Sequence, residues 1–436
     1  MISSRSYYFE IFASILFLLL PVAMITGPFF PDLIISILAI YFFFIFFKNK
    51  VLFKNYFFIL FITFYILILI ATFFSQNFYI SIETSLPYLR FGLFVLTSSY
   101  LVNKFPKIKL YFLNILVCCF LILILDGFYQ FFNGRNILGY AYKNGRIASL
   151  FADHLILGSY MARTLPIGIA IFFLMYEKIK FKYFYILVFL LSFSLIIISG
   201  ERTSLAIFSM FLMALILFCN MKKLIKFSIF LLFVLILSLF IYFSADVKSR
   251  IVFETLGEIK GANDSSISIS DLTKDKVLEN KNQEFINMQN KKTNNQLFFL
   301  STAHESAWKI SLKMFDSSKL IGIGPKMFRY KCNNDIYAVY VRGCSTHPHN
   351  MYAQMLAEVG FFGFLFLLIL FFFSLSICSF NNFFSKKKFL NNFQVILICS
   401  YIAILFPLFP SGNFFNNWLS VSMYLPLTFL VSSIYE

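Results

Sequence analysis

Long apolar runs separated by short polar segments fill most of the sequence. Most of these runs approach the length of roughly 17 to 25 residues at which an α-helix crosses a lipid bilayer. The pattern therefore predicts an all-α polytopic membrane protein of about 12 transmembrane helices. The predicted spans are residues 8–27, 33–47, 55–74, 85–102, 110–130, 155–176, 183–199, 203–219, 227–244, 351–379, 393–409 and 418–433.

One connection breaks this pattern, because about a hundred residues separate the ninth and tenth spans. We therefore divide the chain into helices one to nine (residues 1–244), a large loop (245–346) and helices ten to twelve (347–436). Within the loop, residues 245–299 are predicted to be largely disordered, since they contain too few apolar side chains to offset the entropy of ordering. Residues 300–346 are richer in apolar side chains and are predicted to be partly ordered.

An amphipathic helix is predicted at the start of the ordered part of this loop. Thr302 and Glu305 have the spacing of a capping box. Trp308, Leu312 and Phe315 then recur on one helical face, which we expect to lie against the membrane surface or the helix bundle. A glycine-containing turn is predicted to end the helix.

Composition and charge agree with a lipid environment. Hydrophobic residues make up 60% of the chain and charged residues only 13%, which excludes a soluble protein of this length.

Lysine-rich short loops stay in the cytoplasm, and each lysine cluster here follows an even-numbered span. This places both termini in the cytoplasm, in a bacterial inner membrane, and the large loop in the periplasm. The net charge of +17 is then mostly a consequence of topology, so no nucleic-acid partner is expected. The clusters are Lys48, Lys50 and Lys54; Lys104, Lys107 and Lys109; Lys178, Lys180 and Lys182; Lys222, Lys223 and Lys226; and Lys386, Lys387 and Lys388.

Arginine and histidine are predicted on the opposite side of the membrane. Of the nine arginines only Arg5 is expected in the cytoplasm. Guanidinium groups bind phosphate oxygens bidentately, so the segregated arginines indicate a phosphate site that faces the periplasm. The alternative is that they reach lipid headgroups, which fits Arg90 and Arg163 least because both lie within predicted spans. The periplasmic histidines are His154, His304, His347 and His349.

Two of the seven cysteines lie outside the apolar spans. Cys332 and Cys344 fall in the loop, which faces an oxidising compartment, so a disulfide between them is predicted and two free thiols are the alternative. The sequence contains no CxxC or HExxH pattern, and neither a metal nor another cofactor is predicted.

Three segments that carry these polar residues are predicted on the periplasmic side. They are RIASLFADHLILGSYMAR from Arg146 to Arg163, ISGERTSLAIF with Arg202, and THPHNMYAQMLAEVGFFGFLF with His349. The HPHN, Glu and GxxG pattern, together with SGxR, resembles the O-antigen ligase and polymerase family of membrane glycosyltransferases. The resemblance covers roughly residues 146–366.

Membership of this family would imply a glycan on undecaprenyl pyrophosphate as donor and a glycan or lipid A core as acceptor, joined at the periplasmic face without a metal. The resemblance also implies that Arg202 contacts the pyrophosphate and that His349 serves the acceptor. Many relatives carry an arginine four residues before the loop tryptophan Trp308, where this chain has His304. Arg329 is a candidate to supply that missing guanidinium.

Elementary chemistry leads to the same assignment. Glycosyl transfer from a diphosphate needs cations for the leaving group and a base for the attacking hydroxyl, and histidine suits the second task near neutral pH. We predict His349 as the base and direct displacement with inversion at the anomeric carbon. The predicted diphosphate ligands are Arg202, Arg146, Arg163 and Arg329.

Further residues are predicted to support this site. Asn350, Gln354 and Glu358 are spaced by four and should form a polar stripe that faces the bundle interior. For Glu358 we favour a structural partnership with a buried arginine over direct catalysis. The supporting set is His347, His304, Asn350 and Glu358.

Two other functions stay open. A polymerase would use a lipid-linked repeat unit as acceptor, and the same motifs would bind its donor. A transporter of lipid-linked glycans belongs to another class and should show repeats, interrupted helices and charges at the midplane of the membrane. The sequence shows charges near the periplasmic ends of its spans and no repeat, which favours an enzyme.

Overall fold

The computed structural model describes residues 2–48, 55–143, 145–259, 302–338, 344–385 and 388–434. Within these residues the chain is helical, and its β-structure is limited to isolated bridges. The α-helices are α1 (Ile2–Ala23), α2 (Phe29–Lys48), α3 (Tyr56–Phe73), α4 (Phe78–Lys104), α5 (Lys107–Asn133), α6 (Leu157–Met175), α7 (Lys182–Ile198), α8 (Arg202–Phe218), α9 (Lys223–Phe243), α10 (Ala245–Lys248), α11 (Glu254–Ile259), α12 (Thr302–Ser317), α13 (Met327–Lys331), α14 (Met351–Glu358), α15 (Gly360–Ser379), α16 (Asn392–Ile404) and α17 (Asn417–Ile434).

The helices support the predicted class of an all-α polytopic membrane protein. Every predicted span coincides with helix. Among the described residues, 6 helical segments are long and apolar enough to cross a membrane, including α9, whose most apolar window is 0% buried. Several other apolar helices are shorter, such as α16 with 13 residues. The count of about twelve spans therefore stays a prediction.

Helix α16 lies at the centre of the bundle, because its residues are buried on all sides. In α16 every residue from Phe393 to Ile404 is buried, and α6 and α8 pack against it. Towards another side, α4 packs against α2, α3 and α17. Arg90 on α4 forms an ion pair with Asp32 on α2 at 2.6 Å. This arginine thus has a structural partner within the bundle.

The predicted tenth span is not one helix, which corrects the sequence-based expectation for residues 351–379. It is divided at Val359 into α14 and α15, and Gly360 adopts a left-handed φ of +76°. A Cβ atom on Gly360 would lie 2.4 Å from the Leu320 carbonyl oxygen, so glycine is required there. The loop segment 319–324 fills the break and hydrogen-bonds its backbone on both sides.

Four backbone hydrogen bonds hold this segment in the break. The N–H groups of Ile323 and Gly324 donate to the carbonyls of Ala357 and Glu358 at 2.9 and 3.0 Å. The N–H groups of Phe361 and Phe362 donate to Lys319 and Leu320 at 2.8 and 3.5 Å. Unpaired backbone groups are costly in a membrane, so these bonds make the interruption tolerable. The large loop is thereby anchored inside the bundle.

The amphipathic loop helix is present as α12. Ala307, Ile310 and Met314 are buried against Met327 and Phe328. On the predicted apolar face, Leu312 is 45% exposed, whereas Trp308 and Phe315 are half-buried. The main internal contact is therefore made by another face of α12, and contact of the predicted face with the membrane surface stays a prediction.

The start of the segment predicted to be largely disordered is helical instead. The ninth predicted span ends near residue 244, where α9 ends at Phe243, and helical structure resumes through α10, a π-helical turn and α11 to Ile259. Most of the segment predicted to be disordered, from residue 260 to 299, lies outside the described residues.

Candidate functional site

A cavity of about 860 Å³ opens at the face of the bundle that carries the large loop. Chain segments that are far apart in sequence meet around it, including the α5–α6 and α7–α8 connections, the loop, and the α16–α17 connection. Its charged and titratable lining residues are Arg146, His154, Arg163, Glu201, His304, Arg329, His347 and His349. The predicted base and diphosphate ligands therefore share one cavity, with one exception. Of the predicted supporting residues, His304 and His347 line it, whereas Asn350 and Glu358 do not.

That exception is Arg202, the residue that the family resemblance favoured for diphosphate binding. It begins α8 and does not line the cavity, whereas its neighbours Glu201 and Thr203 do. Arg202 lies close enough to Arg146 to disfavour its protonated form. Its predicted contact with diphosphate stays a prediction, and the structure places Arg146 nearer to the cavity.

Glu201 has the opposite charge to the predicted ligands and lies between two of them. Its carboxylate accepts hydrogen bonds from the N–H groups of Gly158 and Ser159 at 2.8 and 3.1 Å. These groups belong to the first turn of α6, so the carboxylate caps the positive end of that helix. Burial raises the pKa of Glu201, while a hydrogen bond from Ser204 and the charges of Arg146 and Arg163 oppose that shift.

Arg163 projects from the second turn of α6 and is 7% exposed. Its guanidinium donates to the Ser159 hydroxyl and, at 3.3 Å, to the Ser159 carbonyl. These contacts orient the side chain along its own helix and leave part of the group on the cavity. Unlike Arg90, Arg163 therefore lines the predicted site.

Arg146 approaches the cavity from the α5–α6 connection. Its guanidinium donates to the Leu155 carbonyl at 3.3 Å, but its buried Nε has no hydrogen-bond partner among the described residues. Burial lowers the pKa of Arg146, and Glu201 opposes this shift. A buried donor without a partner favours an anion or water there. We call Arg146, Arg163 and Glu201 the arginine wall.

His304 in the large loop, together with His347 and His349 between that loop and α14, forms another side of the cavity, which we call the histidine wall. The ring centroids of His347 and His349 are 4.3 Å apart, and those of His304 and His349 are 5.2 Å apart. His349 has a left-handed φ of +53°, which is uncommon for a residue other than glycine. Its carbonyl accepts a hydrogen bond from the Ser411 N–H at 2.8 Å. The central position of His349 in this cluster agrees with its predicted role.

Burial favours the neutral form of two of these histidines, His347 and His349. Burial lowers the pKa of His349 below its ordinary value of 6.5. Burial also lowers the pKa of His347 to about 4, with a further contribution from the His349 ring. A neutral imidazole can accept a proton, which is the state that a general base requires.

Arg329 reaches the cavity from the short helix α13, next to the histidine wall. The predicted partnership of Glu358 with a buried arginine is indirect. Glu358 is buried, and its carboxylate accepts from the Phe328 N–H at 3.0 Å and from Gln354 Nε2 at 2.9 Å. Glu358 therefore holds the backbone of the residue beside Arg329.

Asn350 and Gln354, the other members of the predicted polar stripe, have structural contacts. The Asn350 side chain accepts from the N–H groups of Tyr352 and Ala353 at the start of α14 and donates to the α16–α17 connection. Gln354 Nε2 also donates to Asn413 Oδ1 at 2.8 Å. Both residues thus hold the connection beside the histidine wall.

Cys332 follows α13, and a disulfide joins it to Cys344, with 5.0 Å between their Cα atoms. This bond links α13 to the segment that leads to His347. Among the described residues, no group of three histidine, cysteine or acidic side chains is arranged to hold a metal ion.

Comparison with known families adds independent information. Residues 187–368 match the family model described as O-antigen ligase. This match confirms the resemblance to the O-antigen ligase family over these residues. The O-antigen ligase match includes the histidine wall, Arg329 and Glu201, and it begins after Arg146 and Arg163. It supports an O-antigen ligase or polymerase type of function, as a membrane-bound glycosyltransferase-like enzyme. No curated protein matches the chain.

Two parts of this cavity were missed by sequence reasoning. Glu201 lay within the quoted SGER motif but was not identified, because an acidic residue did not fit a search for phosphate ligands. Ser411 and Asn413 lie in a neutral connection with no motif, and only the fold brings them to the cavity.

Proposed function

We propose that this protein transfers a preassembled glycan from undecaprenyl pyrophosphate to a sugar hydroxyl of an acceptor, in the manner of an O-antigen ligase. The observation that carries the proposal is the cavity lined by three arginines and three histidines, of which Arg329 and the histidines lie in the segment that matches this family. A diphosphate leaving group and a hydroxyl nucleophile need these two types of side chain.

The donor diphosphate binds between the arginine wall and Arg329. Arg146 and Arg163 stabilise the negative charge that develops on the leaving oxygen, and Arg329 binds from the opposite side. A buried guanidinium is effective here, because its charge is not screened by water. Glu201 limits the local excess of positive charge and holds the start of α6.

The acceptor hydroxyl is deprotonated by His349. Its oxygen forms a bond to the anomeric carbon while the bond from that carbon to the diphosphate oxygen breaks. The proton passes to the imidazole, and undecaprenyl pyrophosphate leaves with the electron pair. A single displacement of this kind inverts the anomeric configuration. No metal or organic cofactor takes part in this scheme.

We also propose that the cavity faces the periplasm of a bacterial inner membrane and that both termini are cytoplasmic. The lysine clusters support this orientation. Cysteines introduced at Lys104 and Asn413 should respond differently to an impermeant thiol reagent in sealed cells, with labelling at position 413 only. The same test applies to Lys387 and Asn282, which lie outside the described residues. Labelling at position 104 but not at 413 would reverse the orientation.

The deciding experiment supplies the purified protein with a lipid-linked glycan and either lipid A core or a second lipid-linked repeat unit. A product in which the glycan is attached to lipid A core supports the ligase. A product with two repeat units on one lipid supports the polymerase, which is the alternative. The break at Val359 is a feature that transporters also show. Movement of the intact donor across vesicles without a covalent product would therefore support a transporter and contradict the proposal.

A further inference from the structure

The connection between α16 and α17 forms a side of the cavity that the proposed mechanism does not use. Its cavity-lining residues belong to the neutral sequence PSGNFFN. The Ser411 N–H binds the His349 carbonyl, and Asn413 Oδ1 accepts from Gln354 Nε2 and from the Phe415 N–H at 2.8 and 2.9 Å. The connection is therefore held at a defined distance from the histidine wall. The residues that line the cavity are Pro410, Ser411, Gly412, Asn413 and Asn416.

Two buried polar atoms on this side lack a partner. Neither Ser411 Oγ nor His347 Nε2 meets the full distance and angle requirements of a hydrogen bond with any of the described residues, although both residues line the cavity and the Ser411 backbone lies close enough to favour protonation of His347. Buried polar groups in folded proteins are almost always paired, and leaving one unpaired opposes folding. Two such atoms beside one cavity indicate that a ligand, or the water it displaces, completes their hydrogen bonds.

The chemistry of these atoms indicates a neutral ligand with hydroxyl groups. A serine hydroxyl donates and accepts, and a neutral imidazole offers one nitrogen of each kind. The sequence LFPLFPSGNFFN between α16 and α17 contains no charged residue. The guanidinium groups suited to diphosphate lie on the arginine wall and at Arg329. Sugars are the hydroxyl-rich neutral groups that the proposed reaction requires.

We propose that Ser411, His347, Asn413 and Asn416 form the subsite for the acceptor sugar. They bind hydroxyls next to the hydroxyl that His349 deprotonates, and the hydrogen bond between Ser411 and His349 sets the spacing. This inference rests on the proposed function and assigns the acceptor to one side of the same cavity.

The first test measures steady-state transfer by the purified full-length protein with whichever acceptor, lipid A core or lipid-linked repeat unit, the native protein extends. Ser411→Ala should raise the KM for the acceptor about three- to tenfold, as expected for one hydrogen bond between neutral groups, and leave the KM for the donor unchanged. Ser422→Ala is the matched control, because the Ser422 hydroxyl donates to Leu419 within α17 and does not line the cavity. An unchanged acceptor KM, or an equal rise in the donor KM, would overturn the subsite.

A second test does not depend on turnover. Ser411→Cys, compared with its parent for background labelling, should react with a water-soluble maleimide. The acceptor should slow this reaction severalfold, and undecaprenyl pyrophosphate alone should not. Equal labelling with and without acceptor would contradict the proposal.

Stability separates a binding role of the hydroxyl from a structural one. Because Ser411 Oγ is unpaired in the structure, Ser411→Ala should unfold at the native temperature or slightly above it. A clear fall in that temperature would assign the hydroxyl to folding instead. The proposed function fails if the native protein transfers glycan to neither acceptor, whereas the subsite alone fails if transfer occurs with an unchanged acceptor KM in Ser411→Ala.

Discussion

The arginine wall and the histidine wall meet in one cavity but are held in place differently. Glu201 binds the start of α6, so the arginine wall is part of the helix bundle itself. The histidine wall consists of one residue of the large loop and two residues that connect the loop to α14, and it depends on the segment 319–324 that enters the break between α14 and α15. Substitutions in the arginine wall should therefore change mainly the charge of the cavity. Substitutions in the histidine wall should also change the positions of its side chains.

The largest effect is expected at the histidine wall. His349→Ala should lower glycan transfer by about a hundredfold or more at matched expression, because the acceptor hydroxyl loses its base. His349→Gln should not restore activity, since an amide forms hydrogen bonds but does not take up the proton. Donor binding, measured with a labelled lipid-linked glycan, should be retained in both variants. A nearly active His349→Gln would show that the residue only orients the acceptor.

The arginine wall is tested by exchanging guanidinium for ammonium. Arg146→Lys should lower transfer about ten- to a hundredfold although the charge is retained, because a bidentate contact with diphosphate oxygens needs the planar group. Arg202→Lys tests the original expectation from the family, and its position outside the cavity lining predicts a smaller loss. If Arg202→Lys proves the more damaging variant, then Arg202 moves into the site when the donor binds. Near-normal turnover in both would rule out a bidentate clamp.

Glu358 connects the helix bundle to the large loop, because it lies at the end of α14 and binds the backbone of α13. Glu358→Ala leaves the Phe328 N–H without its acceptor and should cost about 1 to 3 kcal/mol of stability. It should also weaken donor binding about tenfold, because α13 then no longer holds Arg329 in place. In an Arg329→Ala background the same change should weaken donor binding little further. Additive losses in this double-mutant cycle would show that Glu358 acts independently of Arg329.

Much of this architecture could be predicted because lipid imposes a simple rule on sequence. Apolar runs of sufficient length become helices, and each predicted span overlaps helical structure, although the tenth is divided into two helices. The break at Val359 was not predictable from hydropathy, because α14 and α15 together read as one apolar run. The backbone partners of the break come from residues 319–324, which hydropathy does not connect to it.

The candidate site was predicted where residue type alone carries the chemistry. Histidine and arginine are rare in apolar chains, so His349, Arg146, Arg163 and Arg329 could be named from the sequence. Arg202 shows the limit of that reasoning. It directly follows Glu201 in the sequence, yet Glu201 lines the cavity and Arg202 does not. Arg90 and Arg163 looked equivalent in sequence, and only the ion pair with Asp32 distinguishes the structural arginine from the one at the cavity.

A smaller effect is expected from pH. Because burial lowers the pKa of His349 from 6.5, the neutral base persists as the pH falls to 6.5, and transfer should decline only at lower pH. The same shift makes the folded protein less stable below pH 6.5, where the unfolded chain takes up a proton more readily. The pH dependence of kcat/KM checks this, with thermal unfolding at each pH as control. An acid limb centred above 6.5 would contradict a neutral, buried His349.

The smallest effect is expected from the disulfide between Cys332 and Cys344, since it braces one side of a wall that the backbone bonds of segment 319–324 already anchor. The two cysteines are 12 residues apart, and they connect the end of α13 to the segment that leads into the histidine wall. Replacing both by alanine should lower transfer about two- to threefold, mainly through weaker donor binding at Arg329, and should lower the unfolding temperature by a few degrees.

Cys118→Ala is the matched control for the disulfide variant, because Cys118 is a free and exposed cysteine. Mass spectrometry of non-reduced peptides should find the two cysteines in one linked pair. Two free thiols would show that this disulfide does not form. A loss of transfer as large as that of His349→Ala would show that the disulfide, and not the backbone bonds of segment 319–324, sets the geometry of the histidine wall.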